Sequence, residues 1–189
     1  MATVDKDSAN WRLFGGGGLL VGGLLWLIAV IVGIAAPGNV VATWISIIGV
    51  LLVGVALFLV AFGETGSNGA VGASLFGKLV LVAFGLGWVV FGLVWLLAAV
   101  GVAAPSVVGL IAGVLVVVGG ILSTFAIWQR HVARGAARWI IAVPVILGIL
   151  FVISALGWVV ITGWWLPALV SLGFLVTGLL YLLNRKDIG

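Results

Sequence analysis

Six long stretches without a single charged side chain constrain this chain more than any motif does. They run approximately from Leu13 to Ala36, Val40 to Phe62, Leu79 to Ala103, Ser106 to Trp128, Trp139 to Val160 and Trp164 to Leu183. Each meets the requirement of about 20 apolar residues for a helix to cross a hydrocarbon layer of about 30 Å. Within hydrocarbon every backbone N–H and C=O must be satisfied inside the segment, which selects the α-helix. Hydrophobic residues make up 65% of the chain and charged residues 6%, against about a quarter charged in soluble domains. The expected fold is therefore all-α: a polytopic integral membrane protein with six transmembrane helices, arranged as three tandem helical hairpins.

The breaks between the runs alternate in character. Three are short and uncharged: Pro37, Gly38 and Asn39; Pro105 and Ser106; and Thr162 and Gly163. Proline suits a first helical turn and glycine a chain reversal, so each predicts a tight hairpin. The charged residues fall in the other four segments. Lys6, Arg12, Lys78, Arg130, Arg134, Arg138, Arg185 and Lys186 all map to one side of a six-span arrangement, together with Asp5, Asp7, Glu64, Asp187 and His131. The positive-inside rule then predicts a multi-pass protein of the cytoplasmic (inner) membrane with both termini in the cytoplasm. The apolar run before Gly33, Ile34 and Ala35 exceeds the roughly 7 to 15 residues of a signal-peptide core, so the first span is expected to remain uncleaved.

Tryptophan follows the same frame. Trp11, Trp128 and Trp139 fall at the predicted cytoplasmic boundary and Trp44, Trp158, Trp164 and Trp165 near the outer one, where an amphipathic indole is favoured. Trp26, Trp88 and Trp95 are left near mid-membrane, as packing or lipid-facing bulk or as the lining of a cavity for an aromatic or lipidic ligand.

The odd-numbered spans share a pattern. Gly23 to Gly33, Gly92 to Gly101 and Gly148 to Gly157 each set an aromatic residue (Trp26, Trp95, Phe151) three positions after the first glycine. The even spans answer with glycine-punctuated segments beginning at Gly49, Gly113 and Gly173. A single membrane domain, 1–189, is thus expected to contain three hairpin repeats, approximately 11–63, 76–128 and 138–183, joined by cytoplasmic linkers 63–78 and 129–138. An even number of spans per unit makes these parallel repeats, unlike the inverted repeats with broken helices that recur in transporters. These Gly-x-x-aromatic first helices, with proline in two outer turns, resemble the HdeD family of small six-span bacterial membrane proteins. The third turn departs from that pattern, since Pro167 follows Trp164 and Trp165. The resemblance implies a non-enzymatic membrane protein with a stress-associated, acid-resistance role, and brings no catalytic residue with it.

The first span opens with LFGGGGLLVGGLL, Leu13 to Leu25. Gly15, Gly18 and Gly22 follow spacings of three and four, and Gly18 with Gly22 forms a GxxxG pair. Such a face lets another backbone approach closely, and van der Waals packing is what joins helices in lipid. These three glycines are the expected helix-packing face, either within the bundle or against a partner.

Chemistry-bearing residues are scarce. No Asp, Glu, Lys, Arg or His falls inside a span, so a proton relay or ion path has no candidate residue. One histidine and no cysteine cannot build an ordinary zinc site; no metal and no cofactor is expected. Gly72 to Leu79 imitates a phosphate loop but puts Leu79 where the magnesium-binding hydroxyl should stand. Arg130, Arg134 and Arg138 recur every four residues; a helical linker would align them, as a topogenic signal or as a stripe holding anionic headgroups or a partner. Ser46, Ser154 and Ser171 lie roughly 10 Å inside the outer boundary at 1.5 Å per residue, where they could line a small polar pocket or bond to helix backbone.

The leading expectation is a non-enzymatic structural or accessory subunit, or stress-associated scaffold, packing through its glycine-rich faces. The alternative is a carrier or channel for a small neutral or lipid-like solute. A carrier demands a cavity reaching mid-membrane; a scaffold demands a filled core. The expected partners are membrane lipids and a larger membrane complex or further copies of the chain, and no nucleic acid, since the net charge of +4 does not sit on a basic face of a soluble domain.

Overall fold

The computed structural model describes residues 11–62, 69–130, 132–133, 135–157 and 164–183. Six α-helices follow in order: α1 Gly17–Ala35, α2 Val40–Phe62, α3 Leu75–Ala99, α4 Ser106–Arg130, α5 Ala142–Ala155 and α6 Trp165–Leu183. A π-helical turn, Trp11–Gly16, leads into α1 and a 3-10 turn, Gly135–Arg138, precedes α5. With these lead-ins all six are long and apolar enough to span a membrane, and no strand occurs among the described residues. The chain is an all-α membrane protein.

Local chemistry sets the helix ends. Asn39 caps α2, its Oδ1 accepting from Ala42 N at 3.1 Å. Ser74 Oγ accepts from Gly77 N at 3.1 Å, which starts α3 at Leu75, ahead of the expected Leu79. That helix also stops early. Val102 N donates to Leu97 O at 2.8 Å and Gly101 N to Ala98 O at 3.1 Å, with Gly101 at φ +79°. This is a Schellman closure, whose left-handed position glycine fills without steric cost. Helix α5 ends at Ala155 and the chain turns at Gly157, φ +75°; the continuation of the expected fifth span, 158–160, lies outside the described residues.

Consecutive helices pack side by side, and α6 returns to pack against α1. The result is a closed ring in which the second helix of each hairpin abuts the first helix of the next. The seams flanking α5 are the thinnest. One end of the ring carries the turns at 36–39 and 100–105 and is called the turn end below; the other, carrying Lys78, Arg130 and Arg138, is the basic end. Outward faces are apolar, with Ile31, Val114 and Ile146 all more than half exposed, as a lipid-facing surface requires. At its middle the ring is filled by aromatic side chains. Trp26, Trp88, Phe84 and Phe174 are essentially inaccessible to solvent.

Candidate functional site

The glycine face of α1 is occupied within the chain. A Cβ on Gly22 would lie 2.9 Å from both Gly49 O and Val53 N, one on Gly18 2.8 Å from Ala56 Cβ, and one on Gly15 2.7 Å from Val60 Cγ2 and 2.9 Å from Val60 N. All four neighbours belong to α2. The interleaved glycines face the opposite seam: a Cβ on Gly23 would lie 2.6 Å from Leu175 N, and one on Gly16 3.1 Å from Gly178 O, both on α6. The four-glycine run therefore brings α1 close to two backbones at once. Gly15 and Gly22 are buried in this seam and Gly18 is half-buried.

Arg130 and Arg138 do not lie on one continuous helix. Helix α4 ends at Arg130, which is exposed; Gly135 has φ +56° and the chain re-forms as a 3-10 turn. Arg134 lies outside the described residues, as does His131. Arg138 has a defined structural position. Its Nε and Nη2 donate to Trp128 O at 2.9 and 2.6 Å, and its guanidinium lies 5.7 Å from the ring centroids of both Trp128 and Trp139. A helix leaves its last carbonyls without intrahelical partners, and Arg138 satisfies one of them while resting on two indoles.

Towards the turn end the ring opens into a cavity of about 270 Å³. Its base is the aromatic set that the repeat pattern marked. Trp26 and Trp95 have ring centroids 6.0 Å apart, and Phe151 stands 6.1 Å from the first and 6.2 Å from the second, all edge to face. Trp88 continues the cluster towards the basic end, with centroids 5.5 Å from Trp26 and 5.4 Å from Phe174. From Trp26 to the end of α1 at Ala35, 1.5 Å per residue gives about 14 Å, close to half of a hydrocarbon core of about 30 Å. The cavity thus reaches mid-span and stops on packed rings.

One wall is polar and comes from the first turns of α2: Asn39, Thr43 and Ser46. Asn39 Oδ1 is engaged as the helix cap, and Thr43 Oγ1 donates to Asn39 O at 3.3 Å. Trp164 lines the cavity from the start of the α6 segment, and no charged side chain lies among the described lining residues. Of the three candidate serines, Ser46 lines this cavity. Ser171 is buried and donates to Ala168 O at 2.8 Å, and Ser154 is half-buried on α5; neither is among the lining residues. Asn39 and Thr43 were not singled out in the sequence, although an asparagine between a Pro-Gly turn and an apolar run is a helix-start signal that places its amide at the rim.

Tryptophan placement otherwise mixes boundary and core. Trp44, Trp128, Trp139, Trp164 and Trp165 are exposed, as a boundary belt would have them, and Trp158 lies outside the described residues. Trp11 is instead fully buried, packed edge to face on Tyr181 at 5.3 Å, because the π-helical turn carries it in beneath the end of α6. The phosphate-loop imitation, Gly72 to Leu79, folds as a short turn running into the first turn of α3 at Leu75, and the residues just before it close onto α2. Ala70 N donates to Val60 O at 2.7 Å, and Ala70 and Val71 are buried. Among the described residues no group of His, Cys, Asp or Glu could hold a metal ion.

Comparison of the chain with protein-family models, curated proteins and solved structures finds no match.

Proposed function

We propose that this protein is a non-enzymatic membrane scaffold, a structural or accessory subunit whose helices form a closed, plugged ring. One observation carries the reading: the continuous aromatic packing from Phe84 and Phe174 through Trp88 to Trp26 and Phe151. A channel or a carrier poised between two open states needs a path or a weak layer at this level. Here large rings interlock, some edge to face and some tilted, and aromatic pairs contribute about 0.5–1.5 kcal/mol each beyond their burial. The resemblance to the HdeD family supports a stress-associated setting for such a scaffold. Its attachment surface would be an outer face of the ring, since the glycine seams are spent on α2 and α6.

The test has two parts. Proteoliposomes containing the full chain should pass glycerol, urea and a short-chain alcohol no faster than empty vesicles, and purification in mild detergent from its native membrane should bring down a reproducible partner or further copies of itself. Solute flux well above that of empty vesicles, or a lone monodisperse chain, would sink the scaffold reading.

The turn-end cavity favours the second reading, a carrier for a small neutral or lipid-like solute. It requires the Trp26, Trp95 and Phe151 layer to part, so flux that rises when Phe151 is replaced by alanine but is absent from the native chain would leave the plug in place as a barrier and support the scaffold.

A further inference from the structure

The turn-end cavity carries an inference that stands apart from the scaffold reading, because it concerns what the ring holds and not what the ring does. We infer that the cavity is a binding site for an uncharged, planar, carbonyl-bearing aromatic molecule of about the size of a naphthoquinone ring.

Size comes first. An apolar cavity of about 150 Å³ accepts benzene, and this one measures about 270 Å³, which suits two fused rings or one substituted ring. Shape follows from the base, where Trp26, Trp95 and Phe151 present ring edges and faces. A flat π-system is the partner that offset and edge-to-face contacts reward. Charge is excluded by the absence of any counter-ion among the described lining residues, since an unpaired charge at this depth in hydrocarbon is expensive.

The hydrogen-bonding chemistry then narrows the class. Asn39 Oδ1 already accepts from Ala42 N, which leaves its NH2 group as a donor. The indoles of Trp26, Trp95 and Trp164 can only donate, and the Ser46 hydroxyl can donate as well. Among the side chains of the described lining the acceptors are fewer: the hydroxyl oxygens of Ser46 and Thr43, the latter with its proton committed to Asn39 O, and the second lone pair of Asn39 Oδ1. A lining richer in donors than acceptors matches a ligand richer in acceptors, and carbonyl oxygens on a ring provide that. The same chemistry is found in a free aromatic carbonyl compound arriving from the aqueous side and in the headgroup of a prenylated quinone entering from the lipid. Binding alone is inferred, with no electron transfer.

The test uses the full chain in lipid nanodiscs with 1,4-naphthoquinone as probe and naphthalene as the same shape without acceptors. Saturable binding by equilibrium dialysis is expected for the quinone, about tenfold tighter than for naphthalene. Ser46→Ala should weaken it by about fivefold, the worth of one neutral hydrogen bond. Gly33→Leu should abolish it, because Gly33 lines the cavity and a Cβ there meets only Trp164 Cζ3 at 4.0 Å, leaving room for a side chain that fills the mouth without moving backbone. A third probe separates the sources: a naphthoquinone with a short prenyl chain binding much tighter than the bare ring assigns the site to a lipid quinone, and equal binding assigns it to a free solute. No saturable quinone binding, naphthalene binding as tight as quinone, or quinone binding retained in a Gly33→Leu protein that keeps its helical circular dichroism would each overturn the inference. None of these results depends on whether partners co-purify or solutes cross.

Discussion

The indoles of Trp26 and Trp95 meet edge to face with their centroids 6.0 Å apart, although they come from different hairpins. Both sit three residues after a glycine in a first helix of the repeat pattern, and Phe151, the third residue of that kind, completes a near-equilateral triangle with them. Around a closed ring of three hairpins, residues at matching positions on first helices are brought to one level and one axis. The aromatic layer is thus a consequence of how the hairpins follow one another, and its position fixes both the base of the cavity and the top of the plug.

Trp88 separates packing from hydrogen bonding within that plug. Its side chain is fully buried and its Nε1 has no hydrogen-bond partner, so the indole contributes by filling space. Trp88→Phe, which keeps an aromatic ring but gives up part of the indole volume, should therefore cost clearly less than Trp88→Ala, which should cost about 3–5 kcal/mol. Thermal unfolding in a fixed detergent checks both. A phenylalanine variant as unstable as the alanine variant would show that the N–H is satisfied after all.

Gly22 and Gly17 lie five positions apart in one helix and should respond oppositely. A Cβ on Gly22 runs into the backbone of Gly49 and Val53, while one on Gly17 meets nothing within 4 Å. Gly22→Ala should lower stability by about 1–3 kcal/mol through forced separation of α1 and α2, and Gly22→Leu should prevent the bundle from closing. Gly17→Ala should leave the melting temperature in the same detergent unchanged or slightly raised. Equal behaviour of the two alanine variants would remove the close approach as the reason for these glycines.

Much of this architecture was legible in the residues, for physical reasons that also explain what was not. Uncharged runs of membrane-spanning length leave the helix as the one satisfied backbone, so six helices could be read directly. The ends were less legible where side-chain caps decide them: Ser74 pulls the start of α3 back, and the Gly101 closure cuts its end short. Gly15, Gly18 and Gly22 were recognisable as a packing face from spacing alone, but which helix they meet depends on ring closure, which leaves no local signal. The arginine spacing suggested a stripe that the turn at Gly135 breaks. The cavity was half legible. Ser46 was marked as a candidate, while Asn39 and Thr43 were hidden in what read as an ordinary turn and helix start, and the meeting of Trp26, Trp95 and Phe151 required three segments distant in sequence.

Arg138 offers a test of geometry against charge. Its two donors converge on Trp128 O while the guanidinium plane rests on Trp128 and Trp139. Lysine keeps the charge and loses the fork. Arg138→Lys and Arg138→Ala should both lower stability by about 1 kcal/mol, the range of one such hydrogen bond at an accessible site. Urea unfolding followed by tryptophan emission would report it, since two of the indoles sit at the clamp. Full retention of stability in the lysine variant would reduce Arg138 to a positive charge at a membrane boundary.

Orientation can be decided with single cysteines, because the native chain has none. Ala103, in the turn between α3 and α4, and Gln129, in the last turn of α4, are both exposed and lie at opposite ends of the ring. Basic residues are retained on the cytoplasmic side during insertion, and Lys78, Arg130 and Arg138 all lie at the Gln129 end. In intact cells a membrane-impermeant maleimide should therefore label Ala103→Cys and leave Gln129→Cys unlabelled until the membrane is broken. The reverse pattern would place the cavity mouth towards the cytoplasm, and with it the aqueous phase from which a free ligand could enter. Labelling of both sites in intact cells would mean that the chain inserts in two orientations, which the one-sided charge argues against.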